Sequence, residues 1–168
     1  MTDEDYLAIQ RKLALYARGV DRGDAEALRN VYWPDAVDHH GVAFDGNAYA
    51  FIDFIVGTLS MYRASSHVMG QSHVVEAGSR AKSESYFMCY YVRKAPMDRH
   101  LEILAGRYLD DWEKRNSAWR ILERTVVLDW TRIDPPSPDP VLPRPQRPVS
   151  GIGLTTRDDP SFKFFTGS

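Results

Sequence analysis

Three side chains stand out by type and position. In the stretch Trp119–Ile133, read as a strand, Leu122, Arg124, Val126, Leu128 and Trp130 share one face by strict alternation. That face is apolar except for Arg124, and a guanidinium cannot shed its charge, so it requires an anion or a strong acceptor. Two readings stay open: a structural ion pair with an internal carboxylate, or a cation that meets a substrate oxygen or orients a catalytic acid. Asp21 lies about 80° from the centre of the apolar stripe of the first helical segment. It is either a solvated helix-end carboxylate or one placed at the edge of whatever the helix covers. His67 opens a β-textured run after Ser65 and Ser66, and imidazole is the side chain whose ordinary pKa suits a general base near neutral pH. His73 shares its face by parity if no bulge intervenes, and would be a second polar group in the same cavity.

Other chemistries find little support. His39 and His40 lie near Asp35 and Asp38, but adjacent residues point apart and no helical His-x-x-x-His spacing is present, so no metal site is assigned. There is no Gly-x-Gly-x-x-Gly, phosphate loop or Gly-x-Ser-x-Gly elbow, so no nucleotide cofactor or serine nucleophile is expected, and the reading is cofactor-free. A single cysteine, Cys89, forbids an internal disulfide and any zinc site built on cysteines. With 21 Lys+Arg against 23 Asp+Glu, the net charge of −2 gives no basic footprint for nucleic acid. No apolar run is long enough for a membrane span. The acidic start Met1-Thr2-Asp3-Glu4-Asp5 is wrong for a signal peptide, and a cytoplasmic protein is expected.

The elements that must position these groups read as helices first and strands afterwards. Thr2 and Asp5 resemble a capping box, and Tyr6, Ile9, Leu13, Tyr16 and Val20 recur at helix spacing until Gly19 and Gly23 end the run. A second helix is expected from an Asp24 cap to Tyr32, stopped by Pro34, and a third from near Asn47 through Tyr62. Asp35 to Gly46 is expected to be irregular or a hairpin. Four β runs follow, His67–Ala77, Ala81–Lys94, Leu101–Glu113 and Trp119–Ile133, and their short connections suit antiparallel neighbours. The fold class is α+β, with the helices on one face of a curved antiparallel sheet.

Eight of the ten prolines lie beyond Asp134. The chain is therefore divided into a compact domain, 1–134, and a Pro-rich extension, 135–168, extended at first. The extension regains Phe162, Phe164 and Phe165, so Gly151 to Phe165 is expected to dock on the body, on a neighbouring subunit or over the pocket mouth. Aromatics alternate through Tyr86-Phe87-Met88-Cys89-Tyr90-Tyr91, which suits a core, an interface or a pocket for an apolar ring.

Several segments together resemble a known family. Tyr16-Ala17-Arg18-Gly19-Val20-Asp21-Arg22-Gly23-Asp24, Tyr32-Trp33-Pro34-Asp35-Ala36, Ser66-His67-Val68-Met69-Gly70, Gly106-Arg107-Tyr108-Leu109-Asp110-Asp111-Trp112 and Trp119-Arg120-Ile121-Leu122-Glu123-Arg124 are similar to SnoaL-like proteins of the nuclear transport factor 2-like superfamily. The branch most resembled contains scytalone dehydratase, hexachlorocyclohexane dehydrochlorinase and the bile acid 7α-dehydratase. The resemblance covers about residues 3 to 133. It implies a cone-shaped, cystatin-like fold with a pocket between sheet and three N-terminal helices. It also implies an Asp21–His67 dyad assisted by Tyr16 and Arg124, with His73, Trp33, Tyr90 and Trp130 as candidates for holding substrate. Asp21 would fix the tautomer of His67, His67 would take a proton from carbon, and Tyr16 would bond the departing hydroxyl. The chain departs from the dehydrochlorinase at Tyr16 (lysine there) and Asp38 (tryptophan there), and an acidic residue of the bile acid enzyme falls near Tyr90. Loss of water from a hydrophobic cyclic or polycyclic molecule is thus expected ahead of loss of halide. An isomerase, or a non-catalytic module such as a dioxygenase small subunit, is the alternative. A homo-oligomer is expected, a trimer ahead of a dimer.

Overall fold

The computed structural model describes residues 1–94, 101–134 and 153–166. Helix α1 (Asp3–Arg22) is opened by the Thr2 side chain, which accepts the Asp5 N–H at 3.1 Å, and the residues spaced along its stripe (Ile9, Leu13, Tyr16, Val20) are buried. It ends at Gly23, whose φ of 64° is the left-handed conformation that glycine adopts without penalty. Asp24 then caps α2 (Ala25–Val31) through the Ala27 N–H, and Asn47 caps α3 (Ala48–Thr58) through the N–H groups of Tyr49 and Ala50. Between them β1 (Tyr32–His39) and β2 (Asp45–Asn47) form a small hairpin.

Four long strands complete the sheet: β3 (Tyr62–Ala77), β4 (Arg80–Arg93), β5 (Leu101–Arg115) and β6 (Ala118–Ile133). Six strands in the order β2-β1-β6-β5-β4-β3 make one curved, open sheet against the N-terminal helices, an α+β architecture. The sheet is not wholly antiparallel, because β1 runs parallel to β6. Residues 40–117 separate these two strands, so the long crossover that parallel neighbours need is available. Strand β3 also starts at Tyr62 rather than at His67.

Register shifts decide which side chains face the core. One in β3 lies between Met69 and Ser72, and two where β5 meets β6 set Ile121 opposite Trp112 and Trp130 opposite Ala105. A bulge inserts a residue and moves everything beyond it to the other face. The β6 irregularity also explains Gly106: a Cβ there would meet the Val127 carbonyl oxygen at 2.1 Å. Among the described residues no helix is long and apolar enough to cross a membrane.

Residues 153–166, including α4 (Pro160–Thr166), lie on the corner formed by α1 and α2. Buried Asp159 accepts the backbone N–H groups of Leu154 and Ser161 and lies 3.6 Å from Arg22, while Arg157 reaches Asp24. The Arg18 guanidinium stacks 4.6 Å from the Phe162 ring. The Pro-rich run 135–152 lies outside the described residues.

Candidate active site

Asp21 sits in the last turn of α1 and is 7% exposed. Strand β3 passes it so that three donors converge on its carboxylate. Ser65 Oγ donates to Oδ1 at 2.7 Å, the His67 backbone N–H to Oδ2 at 2.8 Å, and the His67 Nδ1–H to Oδ1 at 2.7 Å. The His67 side chain is 3% exposed. With Nδ1 committed to the carboxylate, the tautomer is settled and Nε2 is the nitrogen left for proton transfer. The Tyr91 hydroxyl lies 3.3 Å from that Nε2.

The charges of the pair sustain each other. Burial is the largest single influence and opposes the charge on His67, but the hydrogen bond it gives to Asp21, the Cys89 thiol and the Asp21 charge together outweigh it, and the imidazole is pushed up to about 9. Burial likewise opposes ionisation of Asp21, yet the bonds from His67 and Ser65 hold it below the ordinary carboxylate value. At neutral pH the resting pair is therefore imidazolium and carboxylate.

His67 forms part of the wall of a cavity of about 340 Å³. Tyr16 and Val20 enter from α1, Phe87, Cys89 and Tyr91 from β4, Leu104 and Tyr108 from β5, and Val126 and Leu128 from β6, with His40 to Ala43 at the hairpin. The lining is mainly apolar and aromatic with a few polar groups, the composition that takes a small hydrophobic ligand.

Of the four residues expected to act on substrate, Asp21, His67 and Tyr16 come together. The Tyr16 ring lies edge-on to His67 with centroids 6.3 Å apart, and burial raises its hydroxyl well above the ordinary value. Arg124 is placed differently. Fully buried, it gives Nε to Asp110 Oδ1 at 2.6 Å and Nη2 to Asp110 Oδ2 at 2.8 Å. Its guanidinium is sandwiched 4.1 Å from the rings of both Tyr16 and Tyr108. It does not line the cavity, and its charge is already balanced by Asp110. Of the two readings left open by its apolar face, the internal ion pair is the one the geometry has.

The residues expected to hold substrate fare worse. His73 faces outward, because the β3 bulge breaks the parity with His67, and it lines a depression on the opposite side of the sheet. Trp33 is clamped between Arg115 and Arg120, each 4.8 Å away, with its Nε1–H on the Glu113 carbonyl. Tyr90 points to the outer face and contacts Met88, while its neighbour Tyr91 faces the cavity. Trp130 is 49% exposed, turned outward by the bulge that precedes it. None of these four lines the cavity. The signal for Tyr91 was present in the register, since His67 pairs with Cys89, and Tyr91 lies two residues further on the same face. Spacing along the chain does not mark Ser65, Cys89, Tyr108, His40 and Asp38 as parts of this site. His39 and His40 diverge: His39 turns to Asp45, whereas His40 stacks on Phe51 and hydrogen-bonds Asp38.

The family model for the SnoaL-like domain matches residues 2–125. Among solved structures, the chain is 21% identical to a Novosphingobium aromaticivorans protein provisionally named a scytalone dehydratase, covering 79% of this chain and 91% of that one at a TM-score of 0.69. It is 16% identical to the hexachlorocyclohexane dehydrochlorinase LinA-type3 of Novosphingobium barchaimii LL02, covering 83% and 95% at a TM-score of 0.68. A Nostoc punctiforme protein of unknown function with a cystatin-like fold is 19% identical, over 77% and 94%, at a TM-score of 0.63. No curated protein matches the chain. At these identities the structural likeness is one of fold.

Proposed function

The chain belongs to the SnoaL-like domain family, and from that premise we propose that it is a cofactor-independent lyase that removes water from a hydrophobic cyclic or polycyclic molecule. The observation that carries this reading is the buried Asp21–His67 pair opening through Nε2 onto an apolar cavity of about 340 Å³. An imidazole held in one tautomer by a carboxylate is a general base, and such groups contribute about 10²–10⁴-fold to rate. In its neutral form His67 takes a proton from a carbon acidified by a neighbouring carbonyl. The C–H electron pair becomes the new double bond and the hydroxyl departs. Tyr16 bonds the departing oxygen, and Arg124 contributes by fixing the Tyr16 and Tyr108 rings from behind.

The names of two structural neighbours, a dehydratase and a dehydrochlorinase, favour elimination over simple binding. The test is product mass on a panel of cyclic β-hydroxy ketones. Elimination removes one water, isomerisation changes no mass, and a carrier returns the ketone untouched. A His67→Ala variant that turned over normally would sink the proposal. The outer face of the sheet exposes Val68, Val75, Tyr86, Leu109 and Trp130, which supports a homo-oligomer, and sedimentation reads whether it is the trimer that the family resemblance puts ahead or a dimer.

A further inference from the structure

We propose that His40, held by Asp38, is a second proton-transfer residue of the same cavity, giving a proton to the leaving oxygen while His67 takes one from carbon. This rests on the elimination reading above.

The geometry repeats that of Asp21 and His67. Asp38 is wholly buried in β1, opposite Arg124 in the register with β6. Its Oδ2 accepts the Tyr32 hydroxyl at 2.7 Å, and its Oδ1 faces His40 Nδ1. A carboxylate is costly to bury, and one that is satisfied by a tyrosine and an imidazole needs both partners. The His40 ring lies parallel to buried Phe51, centroids 4.3 Å apart and 21° from coplanar, so the ring is held as well as bonded. Its side chain keeps 20% of its exposure and lines the cavity. With Nδ1 engaged, Nε2 is the nitrogen left for a ligand, and among the described residues nothing is bonded to it.

Elimination needs two proton transfers at two separate atoms, and an imidazole serving carbon is not placed to serve oxygen at the same moment. Two carboxylate-held imidazoles on different elements of one cavity, β3 and the end of β1, supply both. The carbon proton goes to His67 Nε2, the C–H pair forms the double bond, and the C–O pair leaves with oxygen. That oxygen takes the Nε2 proton of imidazolium His40, so water departs. His67 ends protonated and His40 neutral, and exchange with solvent resets both.

Leaving-group dependence tests this, with 4-hydroxy-2-decalone and its 4-acetoxy counterpart as probes, because acetate departs without a proton. His40→Phe should lower kcat on the hydroxy ketone by about 100-fold and leave the acetoxy ketone within about threefold of wild type. Asp38→Asn, which changes a positioning residue, should show the same preference to a smaller degree. Should His40→Phe fail to fold, His40→Gln serves the same comparison. Equal losses on both ketones, or none on either, would overturn the role of His40. His67→Ala should abolish turnover of both ketones. If it does not, the Asp21–His67 reading fails instead. A wild-type protein that eliminates from neither overturns both assignments.

Discussion

Asp21 grips His67 at two points, taking its backbone N–H on Oδ2 at 2.8 Å and its ring Nδ1–H on Oδ1 at 2.7 Å. The first bond fixes where β3 passes the end of α1, and the second fixes the ring. Asp21→Asn keeps the shape but replaces one acceptor with a donor that faces an N–H. It should lower kcat by about 10²–10⁴-fold, because the ring loses both its tautomer and its counter-charge. The cost in stability should be about 1–3 kcal/mol, from the unsatisfied donors. Steady-state kinetics beside a thermal melt separate the two, and a variant with unchanged kcat would remove Asp21 from the mechanism.

The raised pKa of His67 sets a direction with pH. As the proposed base it works only when neutral, and with its pKa pushed up to about 9, kcat/KM for a leaving group that needs no proton, such as acetate, should climb through neutral pH and level off beyond that value. Stability runs the other way. A histidine whose folded pKa lies above its ordinary 6.5 stabilises fully below 6.5 and loses that contribution as pH rises through about 9, some 3 kcal/mol at most. Asp21, held low, gives its share above the ordinary carboxylate value and loses it in acid. Urea unfolding of wild type and His67→Gln at pH 6, 7.5 and 9.5 should show the alkaline fall in wild type alone.

What could be read from the residues was local and periodic. The stripe Ile9, Leu13, Tyr16, Val20, the Asp24 and Asn47 caps and the four long β runs all follow from spacing or capping chemistry, and all are present. What failed was parity carried across a bulge. His73 and Trp130 each lie beyond a register shift and face away from the cavity. A bulge is settled by how two strands meet, which periodicity along one strand does not encode. The Asp38–His40 pair was obscured for a related reason, since its geometry depends on the hairpin closing over Phe51.

Arg124 and Asp110 yield a prediction in which stability moves more than chemistry. Both side chains are wholly buried and joined by two hydrogen bonds. Arg124→Leu should cost about 3–5 kcal/mol, because it strands the Asp110 carboxylate in the core. The double variant Arg124→Leu/Asp110→Leu should recover part of that loss, since no unpaired charge remains. Had Arg124 met substrate directly, the double variant would be no better than the single in turnover while being more stable. A double-mutant cycle in urea, beside kcat for each variant, decides between these.

The last described segment bears on the end of α1. Asp159 draws Leu154, Ser161 and Arg22 together, Arg157 reaches Asp24, and Arg18 stacks on Phe162. Arg22 adjoins Asp21 in the chain, so these contacts brace the turn that carries the carboxylate. No residue of 153–166 lines the cavity of His67. Deleting residues 135–168 should therefore lower stability by about 1–3 kcal/mol, the scale of a few hydrogen bonds to charged groups. For a domain of this size that is a fall in Tm of about 2–12 °C. Turnover below the melt should stay within a few-fold of the full chain, and Asp159→Ala should reproduce part of the fall. An unchanged Tm would mean that the contacts add nothing to the fold. Abolished turnover with the fold intact would place the extension in the reaction itself, as a lid rather than a brace.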